Sequence, residues 1–473
     1  MHSFTLAART IRGIMTVGCG GKPAKQNRMN KELSKFAARL REAVLSEGRV
    51  PRGPDSELQS PNGGSCNSPL PAFNSLALEL FTLQFKHNAA YRKICESRGL
   101  TPKVVEHWTQ TPAVPTAAFK ELEMTCLLPN ESTAVFHSSG TTEQKPSRHY
   151  HCPESLKIYE ASLWSWFEQK VFAAGRDARP CASGSSGRAG GSFLPLLILT
   201  PPPAQAPHSS LVHMFETIRR KLCAPESVYV GRLVDANVMR WGERPREPQS
   251  ATHNGSSVAS PHQTAMMEHG SWTLDFGAVL AALSPKSQTQ DPRPQLLLGT
   301  AFSFVHLLEY LAEKNLRFHL PAGSRVMETG GYKNRSRAMP KDELHVLITE
   351  RLGIPPENIV CEYGMSELSS QAYDRMAGDE WRVTGNGGAS RHPSPVTRHF
   401  CFPPWARVQI ISPETGREVA DGETGLIRVF DLANVFSVMA IQTEDLGVRR
   451  GEGFELIGRA QLAEPSGCSL MTA

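Results

Sequence analysis

Residues 294–315, PQLLLGTAFSFVHLLEYLAEKN, pass from a continuous apolar run into apolar residues at helical spacing. The same change recurs downstream: SRVMETGGY (324–332) leads into MPKDELHVLITERLG (339–353), which ends on Gly353, and NIVCEYG (358–364) follows. Short wholly apolar runs suit strands buried on both faces, and their alternation with helices predicts an α/β fold with a mostly parallel sheet flanked by helices. An earlier unit of this kind is SFLPLLILT (192–200) followed by SSLVHMFETIRRKL (209–222). After about residue 404, ARVQIISPETGREV, TGLIRVFDL and GFELIGRA alternate apolar and polar residues around turns, so a smaller antiparallel C-terminal β region is expected to close the chain.

The 473 residues are 40% apolar, with 38 glycines and 35 prolines, which describes a globular protein interrupted by loops. A net charge of +5, with lysines and arginines scattered along the chain, gives no footprint for nucleic acid. No run of about 18 apolar residues exists, so no membrane span is expected. Ten cysteines lie singly, without metal-ligand spacing, and this usage favours reduced thiols in a cytoplasmic setting over a disulfide framework or a zinc site. Residues 1–69 read as a disordered or poorly ordered leader and linker: residues 1–30 lack acidic side chains, and GRVPRGPDSELQSPNGGSCNSP (48–69) is rich in Gly, Pro and Ser. The leader has the composition either of an organelle transit peptide or of a disordered segment. Folding is expected from residue 70 onward, with flexible inserts near 174–191 and 242–270, because apolar periodicity resumes after each.

One loop concentrates anion-binding chemistry. In VFHSSGTTEQKPSRHYH (135–151) two extended segments flank Ser138, Ser139, Gly140, Thr141, Thr142 and Lys145, and a helix begins at Pro153-Glu154. Hydroxyls, a glycine that admits close backbone approach, and a cation suit a phosphate, yet G-x-x-x-x-G-K-[ST] is not matched, so this is no Walker loop. A polar hairpin loop accounts for the same composition. The balance shifts because VMETGGY (326–332) and VCEYGMSEL (360–368) each follow a strand with amides, an aromatic ring and a carboxylate, and open α/β sheets bind ligands at the carboxyl ends of their strands. QTEDLG (442–447) adds carboxylates beside a glycine, and LIGRA (456–460) ends a strand on arginine.

In this order these segments resemble the adenylate-forming enzyme superfamily, and most closely its acyl-protein synthetase family, LuxE, of the fatty acid reductase system of bacterial bioluminescence. FNSLALELFTLQFKHNAAYRKICESRGLTP (73–102), TPAVPTAAFKE (111–121) and SRHYHCPESLKIYEASL (147–163) are also LuxE-like, so the resemblance spans roughly residues 70–473 apart from the inserts. It implies an ATP- and Mg²⁺-dependent ligase that adenylates a fatty or related carboxylic acid. Ser138, Ser139, Gly140, Thr141, Thr142 and Lys145 would grip the β- and γ-phosphates, with Glu143 standing where the superfamily usually has glycine. Gly330, Gly331 and Tyr332 would lie beside the adenine. In EYGMSE, Tyr363 and Gly364 would border the adenine, Ser366 would bond the α-phosphate and Glu367 would hold Mg²⁺; Asp445 would accept from the ribose, and Arg459 would face ribose or phosphates.

Relatives that charge coenzyme A or a carrier usually carry a mobile domain after the GR segment, with a lysine used in adenylation. Here fourteen residues follow Arg459 and no lysine follows Lys341, so that domain is expected to be absent. The resemblance instead implies an acyl-accepting tail, 460–473, whose Cys468 takes the acyl group and passes it to an acyl-CoA-reductase-type protein partner. An idle terminal thiol, with coenzyme A as acceptor, is the competing reading, and a non-catalytic nucleotide- or acyl-binding scaffold is another. His137, His149 and His151 on alternate positions are read as packing or phosphate-side groups rather than as a metal site, and His213 as a lining residue of the acyl pocket.

Overall fold

The computed structural model describes residues 26–47, 73–138, 145–172, 194–234, 265–267, 270–284, 293–330, 339–376 and 398–459. Its centre is one twelve-stranded sheet. The parallel half runs in the order Val228–Tyr229, Leu196–Ile198, Leu296–Thr300, Arg325–Thr329, Ile359–Tyr363. From there the sheet turns antiparallel through Ala372–Met376, Arg398–Cys401, Gly453–Arg459, Ala440–Arg450, Thr424–Asp431 and Ala406–Ile411. The C-terminal β region is therefore continuous with the parallel strands, edge to edge. Val114–Pro115 pairs parallel with Ala440–Arg450.

The apolar runs of the central strands feed two cores, one on each face. Leu297, Val326 and Ile359 meet Phe304, Leu308, Leu344 and Ile348 from the helices Ala301–Glu313 and Lys341–Leu352. Leu298, Met327 and Val360, one position along each strand, point the other way and join the larger core with Phe167 and Phe215. Local signals set the helix ends. Thr300 caps Ala301–Glu313 through the Ser303 amide, and Gly353 closes Lys341–Leu352 at φ 69°.

The hairpin read around the hydroxyl-rich loop is present as Ala134–His137 paired antiparallel with Arg148–His151. Cys152 and Pro153 then start the helix Pro153–Val171 where the sequence signals placed it. Among the described residues no helix is long and apolar enough to cross a membrane.

Two expectations need correction. The poorly ordered leader does not extend unbroken to residue 69: Gln26–Glu47 is a helix, and its Leu33, Phe36, Ala37, Leu40 and Val44 are buried in the larger core. Those positions recur at three- and four-residue intervals, a stripe that the composition of the flanking segments obscured. The insert at 242–270 ends in structure, because Ala265–Met267 and Gly270–Leu274 build an antiparallel sheet with Gly231–Val234. Residues 174–191 and the rest of 242–270 lie outside the described residues. Among the described residues Cys95, Cys126, Cys152, Cys223 and Cys361 are free thiols.

The N-terminal helix can be weighed by one substitution. Phe36 is 1% exposed, and Phe36→Ala is expected to lower stability by about 3–5 kcal/mol, read as a fall in the urea midpoint with little change in slope. An effect below about 1 kcal/mol would mean that this helix is not part of the cooperative core.

Candidate functional site

The strands Arg325–Thr329 and Ile359–Tyr363 lie side by side and in parallel, so their carboxyl ends open on one edge of the sheet. Gly330 leaves the first strand at φ 76°, a left-handed turn that suits glycine. Tyr363 ends the second, its ring held edge-on against Phe400, Phe402 and Phe454. Its hydroxyl donates to Asp445 Oδ2 at 2.9 Å. Asp445 is the register partner of Arg459 across the antiparallel strands, with Arg459 Nε 3.6 Å from Asp445 Oδ1. Burial raises the Asp445 pKa, and the Tyr363 hydroxyl and Arg459 oppose that rise.

After Tyr363 the chain turns back over its own strand. A side chain at Gly364 would meet the tip of the Glu362 carboxylate, which would have to move aside, and would lie in ordinary contact with Gln371. The turn delivers Ser366 and Glu367, both buried, into a cluster of oxygens. Ser366 Oγ donates to Glu367 Oε2 at 2.9 Å, the Ser147 hydroxyl donates to Glu367 Oε1, and Ser147 Oγ is 3.5 Å from Ser366 Oγ. His149 donates from Nδ1 to the Ser366 carbonyl at 2.8 Å, and burial lowers its pKa to about 4. Asn434 Nδ2 donates to the Glu367 carbonyl at 2.9 Å.

Beneath this turn sits the Asp431 carboxylate, which accepts from the amides of Ser369, Ser370 and Ala433 and from the Ser370 hydroxyl at 2.7–2.9 Å. Burial pushes its pKa up to about 6 against the pull of these donors.

The structure therefore brings Tyr363, Gly364, Ser366, Glu367, Asp445 and Arg459 to one edge, with Gly330 on the neighbouring strand end. Ser138 joins them through the hairpin: its amide donates to the Ser147 carbonyl at 3.2 Å and its hydroxyl accepts from the Ser147 amide at 3.0 Å. Lys145 is half exposed, its Nζ 4.0 Å from Glu121. Ser139, Gly140, Thr141, Thr142 and Glu143, Gly331 and Tyr332, and Cys468 on its tail all lie outside the described residues.

Ser147, Asp431 and Asn434 were not singled out from the sequence as site residues, whereas His149 was read as a packing or phosphate-side group. Ser147, His149 and His151 alternate onto one buried face of the hairpin, a period-two signal visible in SRHYH. Asp431 closes a strand, TGLIRVFD, whose alternation gave it no distinguishing mark. His151 and His213 pack with Phe136 and Tyr159, ring to ring.

The fold resembles that of adenylate-forming enzymes: the crystal structure of a 2-hydroxyisobutyryl-CoA ligase in the postadenylation state superposes with a TM-score of 0.50 at 12% identity, over 85% of this chain and 72% of that one. Residues 256–473 match the family model of the acyl-protein synthetases, LuxE, the family whose resemblance was read from the sequence motifs. Two curated relatives carry the name long-chain-fatty-acid–luciferin-component ligase. That of Aliivibrio fischeri is 25% identical over 189 residues, 37% of this chain and 44% of the relative. That of Vibrio harveyi is 22% identical over 206 residues, 42% of this chain and 49% of the relative. The chain thus spans slightly under half the length of either relative.

Glu362 supplies a pH test of this edge. Burial raises its pKa to about 7, the Thr329 hydroxyl opposing. A carboxyl whose pKa is higher folded than unfolded contributes stability below about pH 4.5, and that stability is lost as pH rises to about 7. Glu362→Gln should therefore gain on the wild type by about 2–3 kcal/mol across that window and hold the gain above it, measured by urea unfolding at stepped pH. A gap independent of pH would refute the assignment.

Proposed function

We propose that this protein is an ATP-dependent acyl-protein synthetase: it activates a long-chain fatty or related carboxylic acid as an acyl adenylate and transfers the acyl group to Cys468 for delivery to a reductase-type partner. One observation carries the reading. Ser366 and Glu367, bonded to Ser147 of the hairpin, share a sheet edge with the Tyr363–Asp445–Arg459 set. An aromatic ring for a base, a carboxylate for ribose hydroxyls and a hydroxyl-carboxylate pair for phosphate together fit a nucleoside triphosphate.

The first step is attack of the substrate carboxylate oxygen on the α-phosphorus; the bond to the bridging oxygen breaks and pyrophosphate leaves. A carboxylate is a weak nucleophile toward an anionic centre, so the developing charge on phosphorus must be met by fixed donors. In this reading Ser366 donates to an α-phosphate oxygen, Lys145 and the hydroxyls from Ser138 to Thr142 orient the leaving pyrophosphate, and Arg459 adds positive charge from the ribose side. Tyr363 holds Asp445 toward the ribose. Gly330, Gly331 and Tyr332 border the base.

Mg²⁺ fits the donor set around Glu367, which is oxygen only: a buried carboxylate with the hydroxyls of Ser147 and Ser366 against it. Bound there with the phosphates, it would neutralise charge on the departing pyrophosphate.

In the second step the Cys468 thiolate attacks the acyl carbon, the anhydride bond breaks and AMP departs, leaving a thioester; the thiol proton goes to solvent. The LuxE match over residues 256–473 and the names of the two relatives support the acyl-protein branch. If the acceptor were coenzyme A instead, Cys468 would be dispensable.

Acid-dependent exchange of labelled pyrophosphate into ATP tests the first step. Ser366→Ala and Glu367→Gln should each lower kcat/KM for exchange by about 10²-fold or more with the fold intact by circular dichroism. Cys468→Ala should keep exchange and lose the hydroxylamine-labile acyl label on the protein. Retention of that label by the variant would disprove acylation at Cys468.

A further inference from the structure

The larger core contains a polar row where strand pattern alone calls for apolar side chains. Thr300 is the register partner of Thr329, Thr329 of Glu362, and Glu362 of Tyr373. Register partners on neighbouring strands face the same way, so these four side chains form one row across the carboxyl end of the sheet. At about 4.8 Å per strand the row runs roughly 14 Å. Two residues earlier, the corresponding row on the three parallel strands is Leu298, Met327 and Val360, all part of the larger apolar core. The change from apolar to polar thus occurs at one level of the sheet on successive strands.

Part of the row is satisfied. Thr300 caps its helix through Ser303, and the Thr329 hydroxyl donates to Glu362 Oε2. The rest is not. The Tyr373 hydroxyl, on a side chain with no exposure, has no hydrogen-bond partner among the described residues, and neither has Gln371 Oε1 on a residue 4% exposed. Gln371 and Glu362 both border the position a side chain at Gly364 would take. A buried hydroxyl or amide oxygen left unpaired is destabilising, so both atoms call for a partner. The cluster adjoins the turn that delivers Ser366 and Glu367, on the edge where the acid must approach the α-phosphate.

We propose that Glu362, Gln371 and Tyr373 form the specificity-determining floor of the acid pocket, and that they recognise a carboxylic acid carrying a hydroxyl group along its chain in preference to a plain alkyl acid. Gln371 Oε1 accepts from that hydroxyl and Tyr373 donates to its oxygen, while the Glu362 carboxyl borders them from the neighbouring strand. The inference rests on the adenylation reading for its location, while its recognition chemistry comes from the unpaired groups alone.

The test compares a plain fatty acid with isomers of the same length hydroxylated near the carboxylate, at mid-chain or at the terminus. In pyrophosphate exchange one hydroxylated isomer should exceed the plain acid in kcat/KM by about tenfold or more, because a site built for a hydroxyl rejects the analogue that lacks it. Tyr373→Phe removes only an unpaired hydroxyl, so it should fold and melt at or above the wild-type temperature; Gln371→Leu replaces the amide with an apolar group of similar size, and each should reduce the preference by about tenfold. A wild-type preference for the plain acid, or a preference that both variants keep, overturns the proposal. Calorimetric titration of the same acids without ATP reads the pocket independently of turnover. If exchange fails with every acid while one hydroxylated isomer still binds about tenfold tighter, the adenylation reading falls and this one stands; equal binding of all acids refutes it.

Discussion

The two halves of the sheet meet at one carboxylate. Asp431 ends a strand of the antiparallel half, yet its oxygens are spent on Ser369 and Ser370, which follow the last parallel strand, and on Ala433. Ser370 passes the connection on through Ser162 of the helix Pro153–Val171 to the indole of Trp405. This buried chain of donors fixes how far the turn after Tyr363 stands from the strand that carries Asp445. Without it Tyr363 and Asp445 could share the sheet and still miss each other. Low dielectric strengthens such a network when it is complete and penalises any member left out, so it tolerates little drift.

Much of this arrangement could be read from the sequence because it rests on local rules. Continuous apolar runs gave the parallel strands, Pro153 and Gly353 marked helix ends, and SRHYH alternated as a hairpin strand should. The motif segments could be ordered along one sheet edge because parallel strands joined by helices must all end on the same side. What stayed hidden depends on register and distant contacts. Thr300, Thr329, Glu362 and Tyr373 lie on four strands that nothing in their spacing aligns, and Asp431 reaches partners more than sixty residues away in sequence.

The N-terminal helix failed for a different reason. Its apolar stripe obeys the helical period, but Gly-, Pro- and Ser-rich sequence follows it and an acid-free segment precedes it, so composition averaged over the region outweighed a pattern confined to Leu33–Val44. The antiparallel strand Gly270–Leu274 was lost similarly, at the margin of a polar stretch. Both show that a window wide enough to recognise a linker is wide enough to swallow a short element.

That helix also bears on where the protein can be cut. Ser34 donates to Glu154 at 2.6 Å, and Arg39 and Glu32 pair with Glu79 and Lys86, so the helix bridges two others that are themselves distant in sequence. A recombinant fragment begun at residue 70, the boundary composition suggests, would carry every recognised motif and still leave bare the apolar surface that Leu33, Phe36 and Leu40 cover. Its failure to stay in solution would then say nothing about the nucleotide site, only that the seam of the fold lies upstream of the motifs by which it is recognised.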